Sequence, residues 1–299
     1  GSLPPNRVGG YRPVRNILLG VYWHVWGSSP TGYLIHSILV HLISTILVYL
    51  ILQRMFSKKP VAFLGALLFA LHPAHIEAIT YISASMDTTG IMFGLAAFYF
   101  HLMKKPGKYD IRFWAAIFFL LFAFLTNEMS FTIPFLIFLY DFYLEGWNFK
   151  NFRKKRLIPD IWYFGLLVTF VTTRVFLIGA ELSRGGNYIA QSFYHTMIVM
   201  PKMFVWYIWL LFAPWKLSYI HTVEKGFETY MAPYTHFESI LSKSFFDADI
   251  LGSIIILAAI FISIIIWRRR WPLIPLSVLW FFISMLPVSY LIPVGPALS

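Results

Sequence analysis

The chain has 299 residues, of which 59% are hydrophobic, 19% aromatic and only 12% charged, with a formal net charge of +11. Soluble domains draw about 25% of their residues from Asp, Glu, Lys and Arg, so half the charge needed to cover a water-facing surface is missing; most soluble enzymes are excluded, and so is disorder, which requires low hydrophobicity. The absence of cysteine excludes disulfides, thiolate metal sites and a cysteine nucleophile, and the basic residues stand in short clusters between apolar runs, a membrane pattern rather than a nucleic-acid one.

A bilayer core of about 30 Å takes about 20 helical residues. In chain order, residues 34–52 fit, ending at Gln53-Arg54. Residues 61–71 are apolar but short. Residues 88–103 follow, closed by the Lys104-Lys105-Pro106-Gly107-Lys108 cluster. Residues 113–125 and 131–143 are separated by the polar break Thr126-Asn127-Glu128. Residues 161–178, 250–267 and 273–292 complete the series. A further stretch, 197–212, is interrupted by Pro201-Lys202 and rich in Phe, Trp and Tyr, which suits the headgroup zone.

Four loops, 54–59, 104–112, 150–156 and 268–270, hold 15 of the 24 basic residues. The positive-inside rule places them in the cytoplasm. Alternation then works through residue 178. It fails by one if 197–212 crosses, so that stretch reads as re-entrant or interfacial. The expected fold is an all-α polytopic bundle of roughly eight to ten membrane segments, a single transmembrane domain over 1–299. Core spans occupy 11–178, a long extracytoplasmic loop 179–249, and C-terminal spans 250–299.

Only 13 carboxylates exist, and Glu77, Asp87, Glu128 and Glu181 all fall at span ends opposite the basic loops. Ionisable groups beside an apolar zone are costly there and mark function. Asp141, Glu145 and Asp160 stand beside cytoplasmic cations, and charge balance accounts for them. The densest polar cluster is His72-Pro73-Ala74-His75-Ile76-Glu77. Pro73 suits a first helical turn, with His72 beside the cap, and free N–H groups at such an end favour phosphate. His72 and Glu77 are five apart, about 140° around a helix, so one continuous helix cannot aim both at one ion; a divalent metal is not favoured over capping or contact with a lipid phosphate or substrate hydroxyl, and no other cofactor is expected. Asp87 reads either as an N-cap or as functional. Glu128 reads either as a base or orienter, or as a solvated turn carboxylate. Arg174 lies near the outer end of an apolar run with no acid one turn away; it either snorkels or is a fixed cation for phosphate. Arg12 and Arg15, ahead of the first span, offer the same chemistry. His36 and His41 read as structural.

Tyr11-Arg12-Pro13, Gly32-Tyr33-Leu34-Ile35-His36 with His41, and Leu68–Ala78 with its His-Pro-x-His-x-Glu-Ala core resemble the membrane domain of the TMTC-type proteins, transmembrane O-mannosyltransferases that carry tetratricopeptide repeats. Asp87, Glu128, Arg174, Pro214-Trp215-Lys216-Leu217-Ser218 and Tyr290-Leu291-Ile292-Pro293 continue the resemblance in order. It implies a GT-C fold, a polyprenyl-phosphate-linked sugar as donor in the membrane, a protein or other acceptor, and transfer on the extracytoplasmic face (periplasm, exterior or ER lumen). A carboxylate among Glu77, Asp87 and Glu128 would take the acceptor proton, while His72, His75, Arg174 and Arg12 would hold the substrate. The family's Arg before Asp87 is Met86 here, its Lys before Glu128 is Asn127, and Ile220-His221 stand where an Asp-Tyr pair is expected. The family pattern also puts a principal acid upstream of Tyr11 and the repeats after Ser299.

Two other readings stay open at this level. A non-catalytic GT-C-like subunit of a larger complex is favoured by Met86 and Asn127. A transporter or flippase would require inverted repeats with broken midplane helices, and no clear pair is evident.

Overall fold

The computed structural model describes residues 11–56, 58–105, 109–148, 154–177, 192–214 and 244–288. The described residues form helices and no strands. They divide into two compact units, Gly1–Ala180 and Glu181–Ser299.

The first unit holds α1 (Pro13–Trp26), α2 (Pro30–Phe56), α3 (Lys59–Leu71), a 3-10 turn (Pro73–His75) leading into α4 (Ile76–Thr80), α5 (Ile82–Met103), α6 (Ile111–Thr126), a 3-10 segment (Glu128–Thr132), α7 (Ile133–Leu144) and α8 (Lys154–Thr172), which widens into a π-helical turn (Thr173–Leu177). Its centre is α5, which packs against α2, α4, α6 and α7. Helix α2 explains how a bundle in lipid is held. It buries Gly32, Ser37 and Ser44 with Tyr33, His36 and Val40 and turns Ile35, Ile38, Leu39, Leu42 and Ile46 outward. With lipid as solvent there is no gain in hiding leucine, so small and polar residues take the contacts where backbones approach. Sequence breaks set the element ends. Asp110 caps α6 by accepting from Phe113 N at 3.1 Å, and Asn127 ends it while its side chain accepts from Met129 N at 3.0 Å.

The second unit holds α9 (Phe193–Phe212), α10 (Ala248–Trp267) and α11 (Leu273–Met285). Helix α9 packs on α10, and α10 on α11. A buried Lys202 Nζ–Asp249 Oδ2 ion pair of 3.0 Å joins α9 to α10, and Phe282 packs on Phe204 and Phe261. The interruption expected at Pro201 does not occur. Helix α9 runs through it as 20 continuous residues, as membrane helices often do when neighbours satisfy the carbonyl that proline leaves.

Three described helices, Pro30–Phe56, Phe193–Phe212 and Ala248–Trp267, are alone long and apolar enough to cross a membrane. A fourth span results if Lys59–Leu71 and Pro73–Thr80, bent by 50° at His72, count as one. The other segments expected to cross are helical, but shorter or more polar: α7 has 12 residues, α8 opens on Lys154, Lys155 and Arg156, and the first turns of α5 carry Ser83, Ser85, Asp87, Thr88 and Thr89. The protein is an integral, all-α membrane protein.

Candidate functional site

Four separate stretches of the first unit deliver charged side chains to one point. Arg12 precedes Pro13, the first residue of α1, and its side chain is buried together with Glu128. One guanidinium nitrogen of Arg12, Nη2, pairs with Glu128 Oε2, and the other, Nη1, lies 3.4 Å from Asp87 Oδ1. Arg15 Nη1, one turn along α1, is 3.6 Å from the same Asp87 oxygen. Arg174 Nη2 donates to Glu128 Oε1 at 2.6 Å. Arg174 is only 1% exposed, so snorkelling to the interface is overturned; its acid is 46 residues away rather than one helical turn. It stands in a π-helical turn, a rare distortion that is frequent at functional sites, from which its guanidinium reaches Glu128.

The backbone around Asp87 and Glu128 is fixed by contacts that are individually ordinary. Asn127 Nδ2 donates to the Asp87 carbonyl at 3.5 Å. Gly90 lets α5 approach the 127–130 segment closely, since a Cβ there would stand 3.0 Å from Asn127 Cβ and 3.1 Å from Ser130 Oγ. His36 bridges α1 to α5, with Nδ1 2.7 Å from Tyr22 Oη and Nε2 2.9 Å from Thr89 Oγ1. The structural reading of His36 fits this position. Asp87 is not an N-cap: α5 begins at Ile82, because the polar Ser83–Thr89 stretch is helical, and Asp87 sits in its second turn.

The two carboxylates differ physically. Burial pushes the Glu128 carboxyl up, but the Arg12 guanidinium beside it and hydrogen bonds from Arg12 and Arg174 outweigh this and hold it below the usual carboxylate range. Glu128 lies in the 3-10 segment between α6 and α7 as an anion fixed between two cations, not as a solvated turn residue. The Asp87 side chain keeps 26% of its surface exposed, and its ion pairs exceed the 2.7–2.9 Å of a tight charged hydrogen bond. Met86, where the resemblance expects a cation, is fully buried, and Asn127 is 2% exposed.

The histidines gather elsewhere. His72 caps the 3-10 turn, its Nδ1 accepting from Ala74 N at 3.2 Å. His75 packs against Phe69, His41 and His72, with ring centroids at 4.5, 5.4 and 6.0 Å. The helix that follows has five residues, too short to sum the full dipole of a long helix. The side chains of Glu77 and Glu181 lie outside the described residues, as do residues 215–221 and 290–293.

A third group was not expected from the sequence. His101 on α5, Asp141 on α7 and Asp160 on α8 converge in the interior. Charge balance does explain Asp141 and Glu145, since Arg156 reaches Asp141 Oδ1 at 3.0 Å and Glu145 Oε1 at 2.7 Å. For Asp160 the balance acts only at a distance: the residue is 1% exposed, Lys104 and Arg156 act on its carboxylate through space, and neither of its oxygens has a hydrogen-bond partner. The signal that singled out Arg174, an ionisable residue inside an apolar run, applies equally to Asp141.

Residues 12–178 match the family model described as dolichyl-phosphate-mannose-protein mannosyltransferase. The chain is similar to a Caenorhabditis elegans protein named protein O-mannosyl-transferase F38B6.6, 25% identical over 71% of this chain and 30% of that protein. It is also similar to human protein O-mannosyl-transferase TMTC1, 32% identical over 29% of this chain and 10% of that protein, and to Drosophila melanogaster Tmtc1, 27% identical over 30% and 10%. The chain thus spans less than a third of the length of these relatives. No solved structure matches it. Because the family match runs through every residue of the ion-paired group and over more than half of the sequence, the chain belongs to the dolichyl-phosphate-mannose-protein mannosyltransferase family.

Proposed function

We propose that this chain is the membrane part of a GT-C-type protein O-mannosyltransferase, moving mannose from a dolichyl- or polyprenyl-phosphate donor to a protein hydroxyl on the extracytoplasmic face. The observation that carries the reading is the convergence of Arg12, Arg15 and Arg174 on Asp87 and Glu128 from four stretches of chain. A glycosyl phosphate leaves as an anion, and guanidinium groups preset around the departing oxygens stabilise that charge. Asp87, the more exposed carboxylate, takes the proton of the acceptor hydroxyl. The hydroxyl oxygen bonds to the sugar C1, the bond from C1 to the phosphate oxygen breaks, and that oxygen keeps the electron pair. Arg15 and Arg12 face it. Glu128 is the positioning residue, holding the planes of Arg12 and Arg174.

The test is transfer of radiolabelled mannose from dolichyl phosphate mannose to a Ser/Thr-rich peptide by the detergent-purified protein. Asp87→Asn is expected to lower the rate at least about a hundredfold while the protein stays folded. Glu128→Gln is expected to lower it with a raised donor KM. Wild-type rates in Asp87→Asn refute the base assignment.

A second reading rests on one feature: both Glu128 oxygens are taken by arginine, as in an internal staple. A non-catalytic subunit built on this fold binds no donor. Failure of the wild type to bind dolichyl phosphate mannose, with the bundle intact, would favour that reading.

A further inference from the structure

At the end of α5 remote from Asp87, about 21 Å along the helix at 1.5 Å per residue, lies the buried His101–Asp141–Asp160 group. One ring nitrogen of His101 and one carboxylate oxygen each from Asp141 and Asp160 lie within 4.8 Å of one another. These residues are 3%, 1% and 1% exposed. His101 Nε2 stands 3.3 Å from Asp141 Oδ1, an oxygen that also accepts from Arg156 at 3.0 Å; the spacing is close to the roughly 3.3 Å edge between two donors that each sit about 2.0–2.1 Å from a tetrahedral ion. The other His101 nitrogen, Nδ1, is 3.3 Å from Tyr163 Oη, the outer contact that usually fixes a ligating imidazole. Lys104 and Arg156 act on both carboxylates through space, but Asp141 Oδ2 and both Asp160 oxygens have no hydrogen-bond partner, and buried carboxylate oxygens left in that state are costly. Lys104 Nζ lies 3.2 and 3.3 Å from the two His101 nitrogens. It is a long, partly exposed side chain, able to withdraw.

We propose that His101, Asp141 and Asp160 bind a divalent transition-metal cation of the zinc or manganese class, tying α5, α7 and α8 together at the basic-loop end of the bundle. One imidazole and two carboxylates suit such ions. The ion would occupy the position that the Lys104 ammonium now guards, with Arg156 balancing the remaining charge of Asp141. The site stands apart from the transferase reading and does not depend on it. The competing occupant is a proton shared between Asp141 and Asp160, which would satisfy the same oxygens without a metal.

Mn2+ alone is the probe. The full chain, tag-free in detergent and stripped with chelator, is titrated with Mn2+ while the free aqueous ion is followed by electron paramagnetic resonance. Saturable uptake of a single Mn2+ per chain, displaced by Zn2+, is expected. Asp160→Asn and His101→Gln each weaken it at least about tenfold. Lys104→Met tightens it about tenfold, because a competing cation is removed. No saturable uptake by the wild type overturns the proposal in favour of the shared proton. So does equal affinity in the wild type and in every folded ligand variant. The wild-type titration and Lys104→Met keep the test decisive if Asp160→Asn fails to fold.

Discussion

Replacing Arg174 by methionine, Glu128 by leucine, and both together, tests how the ion-paired group holds the first unit. The Arg174 and Glu128 side chains are 1% and 4% exposed and meet at 2.6 Å, and removing one partner of such a buried pair costs about 3–5 kcal/mol, because the other is left as an uncompensated charge. Arg174→Met leaves Glu128 still paired with Arg12, so it falls at the lower end, about 3 kcal/mol. Glu128→Leu takes the shared carboxylate from both Arg12 and Arg174, leaving Arg12 its longer contact with Asp87, and falls at the upper end, about 5 kcal/mol. Independent losses would sum to about 8 kcal/mol. Once Glu128 is gone, however, deleting Arg174 removes a burden rather than a bond, so the double variant is expected to lose no more than Glu128→Leu alone, about 4–5 kcal/mol, a coupling of about 3–4 kcal/mol. Unfolding in mixed micelles with increasing SDS, followed by tryptophan fluorescence, measures all four proteins. Additivity within about 0.5 kcal/mol, the level of independent sites, would refute the claim that this contact couples α8 to the 128–132 segment.

Gly90→Ala trades a helix-propensity gain of about 1 kcal/mol against overpacking of about 1–3 kcal/mol on Asn127 and Ser130. The expected outcome is a small stability change with a loss of transfer activity that exceeds it, read by comparing the mannose assay with the unfolding midpoint. The Glu128 carboxyl is held below its ordinary range, so its contribution is fully present above the unfolded glutamate value, about 4.3, and is lost as pH falls through the lower folded value. A stability profile from pH 7 to pH 3 should therefore steepen on the acid side, and Glu128→Gln should flatten that limb. In the second unit, Lys202→Met should destabilise by about 3–5 kcal/mol, and Lys202→Met with Asp249→Leu should regain much of it in the same unfolding assay.

The helical class and the positions of most helices were readable because apolar length and charge clustering are local properties. Asn127 as the end of α6 and His72 as a cap were readable for the same reason, since each acts on a backbone group two residues away. Arg12, Asp87, Glu128 and Arg174 could be singled out, one by one, as charges at the edge of apolar runs. Their union could not, because Glu128 meets partners 116 and 46 positions away, and sequence spacing carries no distance at that range. The helix through Pro201 escaped notice for a related reason: whether a missing N–H breaks a helix depends on what packs beside it. His101, Asp141 and Asp160 escaped because nearby cations gave two of them a sufficient local explanation.

The π-helical turn over Thr173–Leu177 has an evolutionary consequence. Such a turn accommodates one residue more than an α-helical turn, so the bearing of the Arg174 guanidinium is written in chain length as well as in residue identity. Deleting Thr173 would leave an ordinary helix whose arginine points about 100° away and starts about 1.5 Å earlier along the axis. A homologue without the extra residue would carry its cation on another face even where the aligned letters agree, so gap placement at this turn matters as much as the arginine itself.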